Sequence, residues 1–290
     1  NLIIDKFYQV VCYETNLSNP GMFNKEPKDK WDIIKQSCKA YEQIVPPEVL
    51  LNDLNDEKNL KSVYQELNTG FITWMKRFIE SKGIESLLDK VAETAQNIRK
   101  YPTSESSKLL EKLHTLLKCL FEIFNALDIN KITEISEISI ETIINILVFS
   151  LFPGEHQINC LIYQLFYPII DKAKKCPTVL DAMESYAIAQ GLSGRFAIIS
   201  DTANCNDDDC RFYTFIFVNM LFKFIPELYR RVSIRYELYK EGFKQAIEDS
   251  FSNDTERVKE EVYYFKVQML EDEKSIRSIF GRSGISPMST

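Results

Sequence analysis

The sequence predicts an all-α fold, and three observations lead to that prediction. Glycine and proline number only 9 and 10 among 290 residues, below the roughly 7% and 5% of average proteins, so tight turns are few. Segment 109–127 carries leucines and a phenylalanine at i, i+3 and i+4 spacing, which places them on one face of a helix. No segment of comparable length alternates apolar and polar residues with the period of two expected of a half-buried strand.

Segments rich in proline, glycine, serine or asparagine interrupt the helical pattern. Between them the periodicity stays helical, and the stretch from position 254 to 280 continues it as an amphipathic helix. We expect the last ten residues to be disordered. The interrupting segments are 16–30, 101–107, 153–156, 201–210 and 281–290.

A weak internal repeat runs through these helices. Segment 118–127 (KCLFEIFNAL) resembles 159–168 (NCLIYQLFYP), and 211–221 (RFYTFIFVNML) has the same character. Armadillo and HEAT units recur about every 40–47 residues, and the intervals here approach that period but are stretched by loops. Such units cannot cover their own apolar faces, so they stack into a solenoid with a groove along one side. We therefore expect an armadillo-like helical solenoid.

Three positions of the repeat are candidates for the groove. Asn125 lies outside the apolar face of 109–127, where its amide can donate to and accept from the backbone of a bound chain; an exposed asparagine without a role is the alternative. Phe166 and Asn219 occupy comparable places in helices that are apolar nearly all round. Such helices are either fully buried or border a site that awaits a partner, and the sequence leaves both interpretations open.

Charge and cysteine content restrict the setting of the protein. A net charge of −7, from 35 basic and 42 acidic residues, argues against nucleic acid as a partner. Seven scattered cysteines, an odd number, favour a reducing compartment. The most apolar stretch, 212–222, is shorter than the roughly 20 residues of a membrane span, and no signal peptide opens the chain. We expect a cytoplasmic piece of a longer protein, since it begins at Asn1 rather than at methionine.

The sequence lacks the usual motifs of catalysis and metal binding. Its two histidines, His114 and His156, are not beside a nucleophile pattern, and no phosphate-binding glycine loop, G-x-S-x-G or H-E-x-x-H is present. Cys205 and Cys210 flank three aspartates, but zinc requires four N or S ligands, so a solvated acidic loop explains this segment better. We predict no enzyme activity, no catalytic or metal site and no cofactor.

The residues nevertheless resemble a known family, the diaphanous-related formins. Segment 118–125 (KCLFEIFN) and segment 230–250 are similar to two blocks of that family's armadillo region, and 29–36 (DKWDIIKQ) is similar to its GTPase-binding subdomain. The resemblance covers about residues 1–250. Segment 46–91 resembles the start of the armadillo region through Leu67, Asn68, Trp74, Phe78, Gly83, Leu87 and Leu88.

The resemblance implies a regulatory module of three parts. Residues 1–60 would form a small helical GTPase-binding subdomain, 61–250 an armadillo-repeat inhibitory domain, and 251–290 a helix leading to a dimerisation region, followed by the disordered tail. The implied partners are a GTP-loaded Rho-family GTPase, which would bring its own GTP and Mg²⁺, the formin's own C-terminal autoregulatory helix, and a second copy of the chain. The module would control autoinhibition of actin filament assembly at the cytoskeleton. A constitutive armadillo-type scaffold or adaptor without GTPase control is the alternative.

The resemblance and the charge pattern together suggest site residues. Segment 24–39 holds five lysines against three acids, which suits the acidic surroundings of GTPase switch loops. Trp31 either anchors that contact or packs the subdomain, and we expect packing. We predict the following residues for the GTPase surface: Lys30, Lys35, Asn68 and Thr69.

The same reasoning selects residues for the autoregulatory helix. In a helix-in-groove complex an apolar pair receives the hydrophobic side of the bound helix, and the flanking amides hydrogen-bond to it. We predict the following residues for that groove: Asn125, Phe166, Ile169 and Asn219.

Overall fold

A computed structural model describes residues 2–14, 25–42, 45–69, 72–100 and 106–282. Within these ranges the protein forms sixteen α-helices and no β-strand, which confirms the all-α prediction. Most of the predicted disordered tail, from position 283 onward, lies outside the described residues. The helices are α1 (Leu2–Glu14), α2 (Pro27–Glu42), α3 (Pro47–Leu51), α4 (Glu57–Thr69), α5 (Ile72–Glu80), α6 (Gly83–Lys100), α7 (Ser106–Ala126), α8 (Ile129–Ser136), α9 (Ile140–Val148), α10 (His156–Asp171), α11 (Cys176–Gln190), α12 (Ala197–Ala203), α13 (Asp208–Lys223), α14 (Leu228–Lys240), α15 (Phe243–Asn253) and α16 (Glu256–Arg282).

The chain divides into two compact units, Asn1–Ile146 and Leu147–Thr290, which we call unit 1 and unit 2. The division falls inside α9, whereas the sequence predicted boundaries near residues 60 and 250. One reason is that the α1–α2 pair contacts α5, so that it belongs with the helices that follow it. The other is that α16 packs on α13 and belongs to unit 2.

Unit 1 is organised around α7, which packs against both α4 and α6. Its apolar face is the one that the sequence predicted over 109–127, and burying it stabilises the unit by removing that surface from water. The buried residues of α7 are Leu113, Leu116, Leu117, Cys119, Leu120, Ile123 and Phe124.

A close approach at Gly83 joins α5 to α6. A Cβ atom at this position would lie 2.3 Å from Cε1 of Phe78 and 2.5 Å from its carbonyl oxygen, so no larger residue fits without a shift of the backbone. The Phe78 ring stacks on Trp74 with centroids 5.3 Å apart, and Nε1 of Trp74 donates to the carbonyl oxygen of Val45 at 2.8 Å. Trp74, Phe78 and Gly83, three of the residues behind the formin resemblance, therefore form one connected group.

In unit 2 the helices α10 and α13 pack along each other. The Phe217 ring stacks on Tyr163 and on Phe166, with centroid distances of 4.9 and 5.6 Å. Asn159 of α10 is fully buried, and its amide pairs with the backbone of Phe152 by donating to the carbonyl oxygen at 2.7 Å and accepting from the amide at 3.0 Å. This pairing satisfies a buried polar side chain and holds the loop that precedes α10.

Helix α16 covers another side of α13. The sequence predicts that this helix leads towards a dimerisation region, and in the structure it packs on α13 within unit 2. The carboxylate of Asp272 on α16 pairs with Arg231 at 2.6 Å and with Arg235 at 3.0 Å, both on α14. The apolar residues that α16 buries include Val258, Val262 and Phe265.

A second buried ion pair lies within unit 2. Arg211 of α13 lies 2.7 Å from Asp254, and the side chains of both residues are less than a tenth exposed. Its guanidinium also donates to the carbonyl oxygens of Ala203 and Ala246 and to the hydroxyl of Ser250. A buried charge is tolerated only when it is paired and hydrogen-bonded in this way.

Candidate functional site

The α1–α2 hairpin has a small core of its own. Tyr8 and Cys12 of α1 are buried against Ile34 of α2. Nζ of Lys30 lies 2.7 Å from Oδ1 of Asp5 and 5.7 Å from the centre of the Tyr8 ring. These contacts link the two helices through one face of each.

Large apolar side chains of the hairpin are exposed. Phe7 and Val10, one turn apart on α1, are each 57% exposed, and Trp31 at the start of α2 is 44% exposed. We call these three residues the hairpin surface. Exposed apolar residues that lie together mark a site of protein contact more often than scattered ones do, and Phe7 and Val10 are such a pair. A shallow depression of about 380 Å³ beside Trp31 is lined by Ile4, Pro27, Lys28 and Trp31.

Basic side chains border the hairpin surface. Nζ of Lys35 lies 5.4 Å from the centre of the Trp31 ring, within the range of a cation–π contact, and 4.0 Å from Oδ1 of Asp32. Lys28 lines the same depression as Trp31. The arrangement presents an aromatic ring together with positive charge, so it suits a partner that carries an apolar spot among carboxylates.

The structure separates the residues predicted for the GTPase surface. Lys30 is wrong as a surface contact, because its side chain is only 12% exposed and its ammonium is held inside the hairpin. Lys35 and Asn68 are exposed, and Thr69 ends α4 with a side chain outside the described residues. The expectation that Trp31 packs into the subdomain is also wrong, since almost half of it is exposed.

The structure also corrects the predicted groove. Asn125 is exposed, as predicted, but Phe166 and Ile169 expose no surface and Asn219 is 4% exposed. Nδ2 of Asn219 donates to the carbonyl oxygen of Glu261 at 3.0 Å and to its Oε2 at 2.8 Å. The expectation that these three residues line an open groove is therefore wrong; of the two interpretations left open, the buried one holds.

Asn125 belongs instead to a polar strip in unit 1, which we call the α7 flank. It consists of Tyr64 on α4 and of Lys118, Glu122 and Asn125 on α7. Nζ of Lys118 lies 6.0 Å from the centre of the Tyr64 ring. Burial raises the pKa of Glu122, with Lys118 opposing the shift, and burial together with the Glu122 charge raises the pKa of Tyr64. Asn68 follows Tyr64 by four residues, hence by one turn of α4.

Sequence reasoning did not select Phe7, Val10 or Tyr64. The available signal for the first two was the width of the apolar arc on α1. Ile4, Phe7, Tyr8 and Cys12 spread around more of the helix than one neighbouring helix can cover. Tyr64 carried no such signal, because an isolated tyrosine on a helix is ordinary.

The described residues show neither a metal-binding group nor a membrane-spanning helix. Among the described residues no group of three or more histidine, cysteine, aspartate or glutamate side chains is placed to hold a metal ion. In the same part of the chain, no helix combines the length and apolar character needed to cross a membrane.

No protein-family model matches the chain, and no curated protein matches it either.

Proposed function

We propose that this chain is the regulatory module of a formin-like protein, an armadillo-like solenoid preceded by a small helical GTPase-binding subdomain. The module binds a GTP-loaded Rho-family GTPase at the hairpin surface, and it binds the protein's own C-terminal autoregulatory helix at the α7 flank. Through these two contacts it controls autoinhibition of actin filament assembly. The observation that carries the proposal is the exposure of Trp31 beside Lys35, on a hairpin that has a core of its own.

The hairpin surface supports the GTPase contact in two ways. Tryptophan is among the residues that contribute most to protein interfaces when a partner buries it, and Trp31 has the exposed area to do so. Lys28 and Lys35 stand beside it on a chain whose net charge is −7. Local positive charge of this kind attracts an acidic partner and speeds the encounter, more at low salt than at high salt.

The α7 flank supports the contact with the autoregulatory helix. Asn125 is exposed and can both donate and accept, so it can pair with the polar side of a docked helix. Glu122 and Lys118, one and two turns before it on α7, offer both charges on the same face. Phe166, Ile169 and Asn219 are buried and therefore lie outside this contact.

Asn68 on α4, which lies outside the hairpin surface, is the predicted GTPase residue that suggests how the GTPase relieves inhibition. Asn68, from the predicted GTPase surface, is one turn from Tyr64 of the α7 flank, so ligands that cover both compete for the same part of the helix. Shifting the module from 99% to 1% occupancy by the autoregulatory helix requires a differential binding free energy of about 5.5 kcal/mol.

A nucleotide-dependent titration tests the GTPase contact. The chain is titrated by calorimetry with a Rho-type GTPase that holds either GDP or a non-hydrolysable GTP analogue. We expect binding to the GTP form only, and Trp31→Ala should weaken it by about thirtyfold, the loss of roughly 2 kcal/mol expected at an interface hot spot. Tyr236→Ala is the matched control, since Tyr236 is a 72% exposed aromatic on α14, and it should bind normally.

Charge reversal tests the electrostatic part of the same contact. Lys35→Glu should slow association and reduce its dependence on salt, whereas Lys240→Glu, at an exposed position of α14, should not. Equal binding of both nucleotide forms would favour the constitutive scaffold or adaptor. Normal binding by Trp31→Ala would refute the hairpin surface as the contact.

A further inference from the structure

Three cysteines that are far apart in sequence meet in unit 2. Cys160 lies on α10, Cys205 follows α12, and Cys210 lies in the first turn of α13. They are 6%, 9% and 2% exposed, and Tyr213 packs against them. All three are free thiols.

Hydrogen bonds hold the three thiols in place. The three thiols pack together in one buried cluster, in which Cys210 interacts with both Cys205 and Cys160. The backbone amide of Cys210 donates to Oδ1 of Asp207 at 3.0 Å, and the Cys205 thiol donates to the carbonyl oxygen of Asp207 at 3.6 Å. Nε2 of Gln164 lies 3.5 Å from Sγ of Cys160. Cys210 is thus the shared member of the cluster.

We propose that the cluster is a redox modification site, at which hydrogen peroxide converts Cys205 and Cys210 to an intramolecular disulfide. Cys205 is the most exposed of the three, so it meets the oxidant first. Its sulfur attacks one peroxide oxygen, the O–O bond breaks, and proton transfer releases one water and leaves a sulfenic acid. The Cys210 sulfur then attacks the Cys205 sulfur, the S–S bond forms, the S–O bond breaks and a second water leaves. Two thiols are oxidised by two electrons in total, and one peroxide is reduced to two waters.

The surroundings make this reaction slow. The neighbouring Cys160 thiol and burial raise the pKa of Cys210 to about 12, with Cys205 opposing the shift, and the Cys210 thiol and burial raise the pKa of Cys205 above its usual range. Since the thiolate is the nucleophile, both residues react more slowly than a thiol in water. The site therefore responds to sustained peroxide, and transient disulfides of this kind are compatible with a reducing compartment.

The third thiol has a role in keeping the site reversible. Once Cys205 and Cys210 are joined, Cys160 remains packed beside them in the same buried cluster. Thiol–disulfide exchange can move the bridge to Cys160 and return Cys205 to the thiol form, with no net change of oxidation state. An exchangeable disulfide remains reducible, whereas sulfinic acid does not.

Peptide mapping tests the proposal in the whole chain. Trypsin releases Cys205 and Cys210 together on peptide 196–211, and Cys160 on peptide 132–172. The Cys38→Ser protein, which lacks this exposed thiol, is treated with excess hydrogen peroxide, alkylated and digested. The masses of its peptides are then measured by mass spectrometry. We expect peptide 196–211 to lose two hydrogens and to escape alkylation, and reductant should restore both alkylation sites.

Two variants in the same background make the result specific. Adding Cys210→Ser should abolish the product, whereas adding Cys176→Ser, at a buried cysteine outside the cluster, should not. If Cys210→Ser loses helical circular dichroism, Cys205→Ser serves for the same measurement. The proposal is overturned if peptide 196–211 stays doubly alkylated or if it gains two oxygens as sulfinic acid instead. In a time course, a link between peptides 132–172 and 196–211 that forms before the disulfide within 196–211 also overturns it, whereas a link that forms afterwards is the exchange with Cys160.

Discussion

Replacing Asp272 by alanine should destabilise unit 2 strongly. The carboxylate is 2.6 Å from Arg231 and 3.0 Å from Arg235, and the Arg235 side chain is 7% exposed, with its guanidinium 4.8 Å from the centre of the Phe222 ring. Asp272→Ala leaves that guanidinium buried without its counter-charge, which costs about 3–5 kcal/mol in other proteins. Amide hydrogen exchange in α14 and α16 should accelerate by a factor of roughly 150 to 4,000, since 1.4 kcal/mol corresponds to tenfold.

The neighbouring residue provides the control. Glu273 also forms an ion pair, with Arg277 at 3.8 Å, but the two side chains are 46% and 78% exposed. An exposed pair four residues apart contributes only about 0.3–0.5 kcal/mol, so Glu273→Ala should change exchange by no more than about threefold. The reasoning is refuted if Asp272→Ala accelerates exchange no more than Glu273→Ala does.

Three further predictions follow from named contacts. Burial alone would raise the pKa of Asp272, but the hydrogen bonds from the two arginines lower it below its ordinary value. The contribution of Asp272 to stability is therefore complete above about pH 4 and is lost as the pH falls through its lowered pKa in the folded protein. In urea titrations, the free energy of unfolding should change less between pH 6 and pH 3 in Asp272→Ala than in the natural sequence. Gly83→Ala forces its Cβ against Phe78, so it should lower the free energy of unfolding by about 1–3 kcal/mol. Thermal unfolding measures this loss, and Ser86→Ala in the same helix is the control. Asn125→Asp should weaken binding of an autoregulatory peptide and leave GTPase affinity unchanged; an equal loss of both would show that the two surfaces are assigned wrongly.

Helix position was predictable because periodicity is a local property of the chain. The stripe at 109–127 corresponds closely to α7, Ser106–Ala126, because one covered face leaves a regular pattern in the sequence. The sequences of α10 and α13 did not indicate which of their faces are covered. A helix that is apolar on all sides has the same composition whether its neighbours cover it or leave a groove, so only the packing of α10, α13 and α16 decided between the two.

Contacts between distant residues were not predictable from one sequence. The five lysines of 24–39 are equivalent in a charge count, but Lys30 finds Asp5 25 residues upstream and is enclosed, whereas Lys35 remains exposed. The acidic loop around Cys205 was interpreted without its third cysteine, because Cys160 reaches it from another helix. In both cases the partner was set by tertiary packing, which leaves no local signature.

The two tryptophans of unit 1 have opposite surroundings. Trp74 is 5% exposed, stacked on Phe78 and hydrogen-bonded to a backbone carbonyl, whereas Trp31 is 44% exposed. The protein's ultraviolet emission therefore comes from one indole shielded from iodide and one accessible to it. A partner that docks on the hairpin would shield Trp31 and shift its emission to shorter wavelength, so docking can be followed on the natural sequence without a dye. Because these are the only two tryptophans in the chain, the same signal carries no indole contribution from residues 147–290.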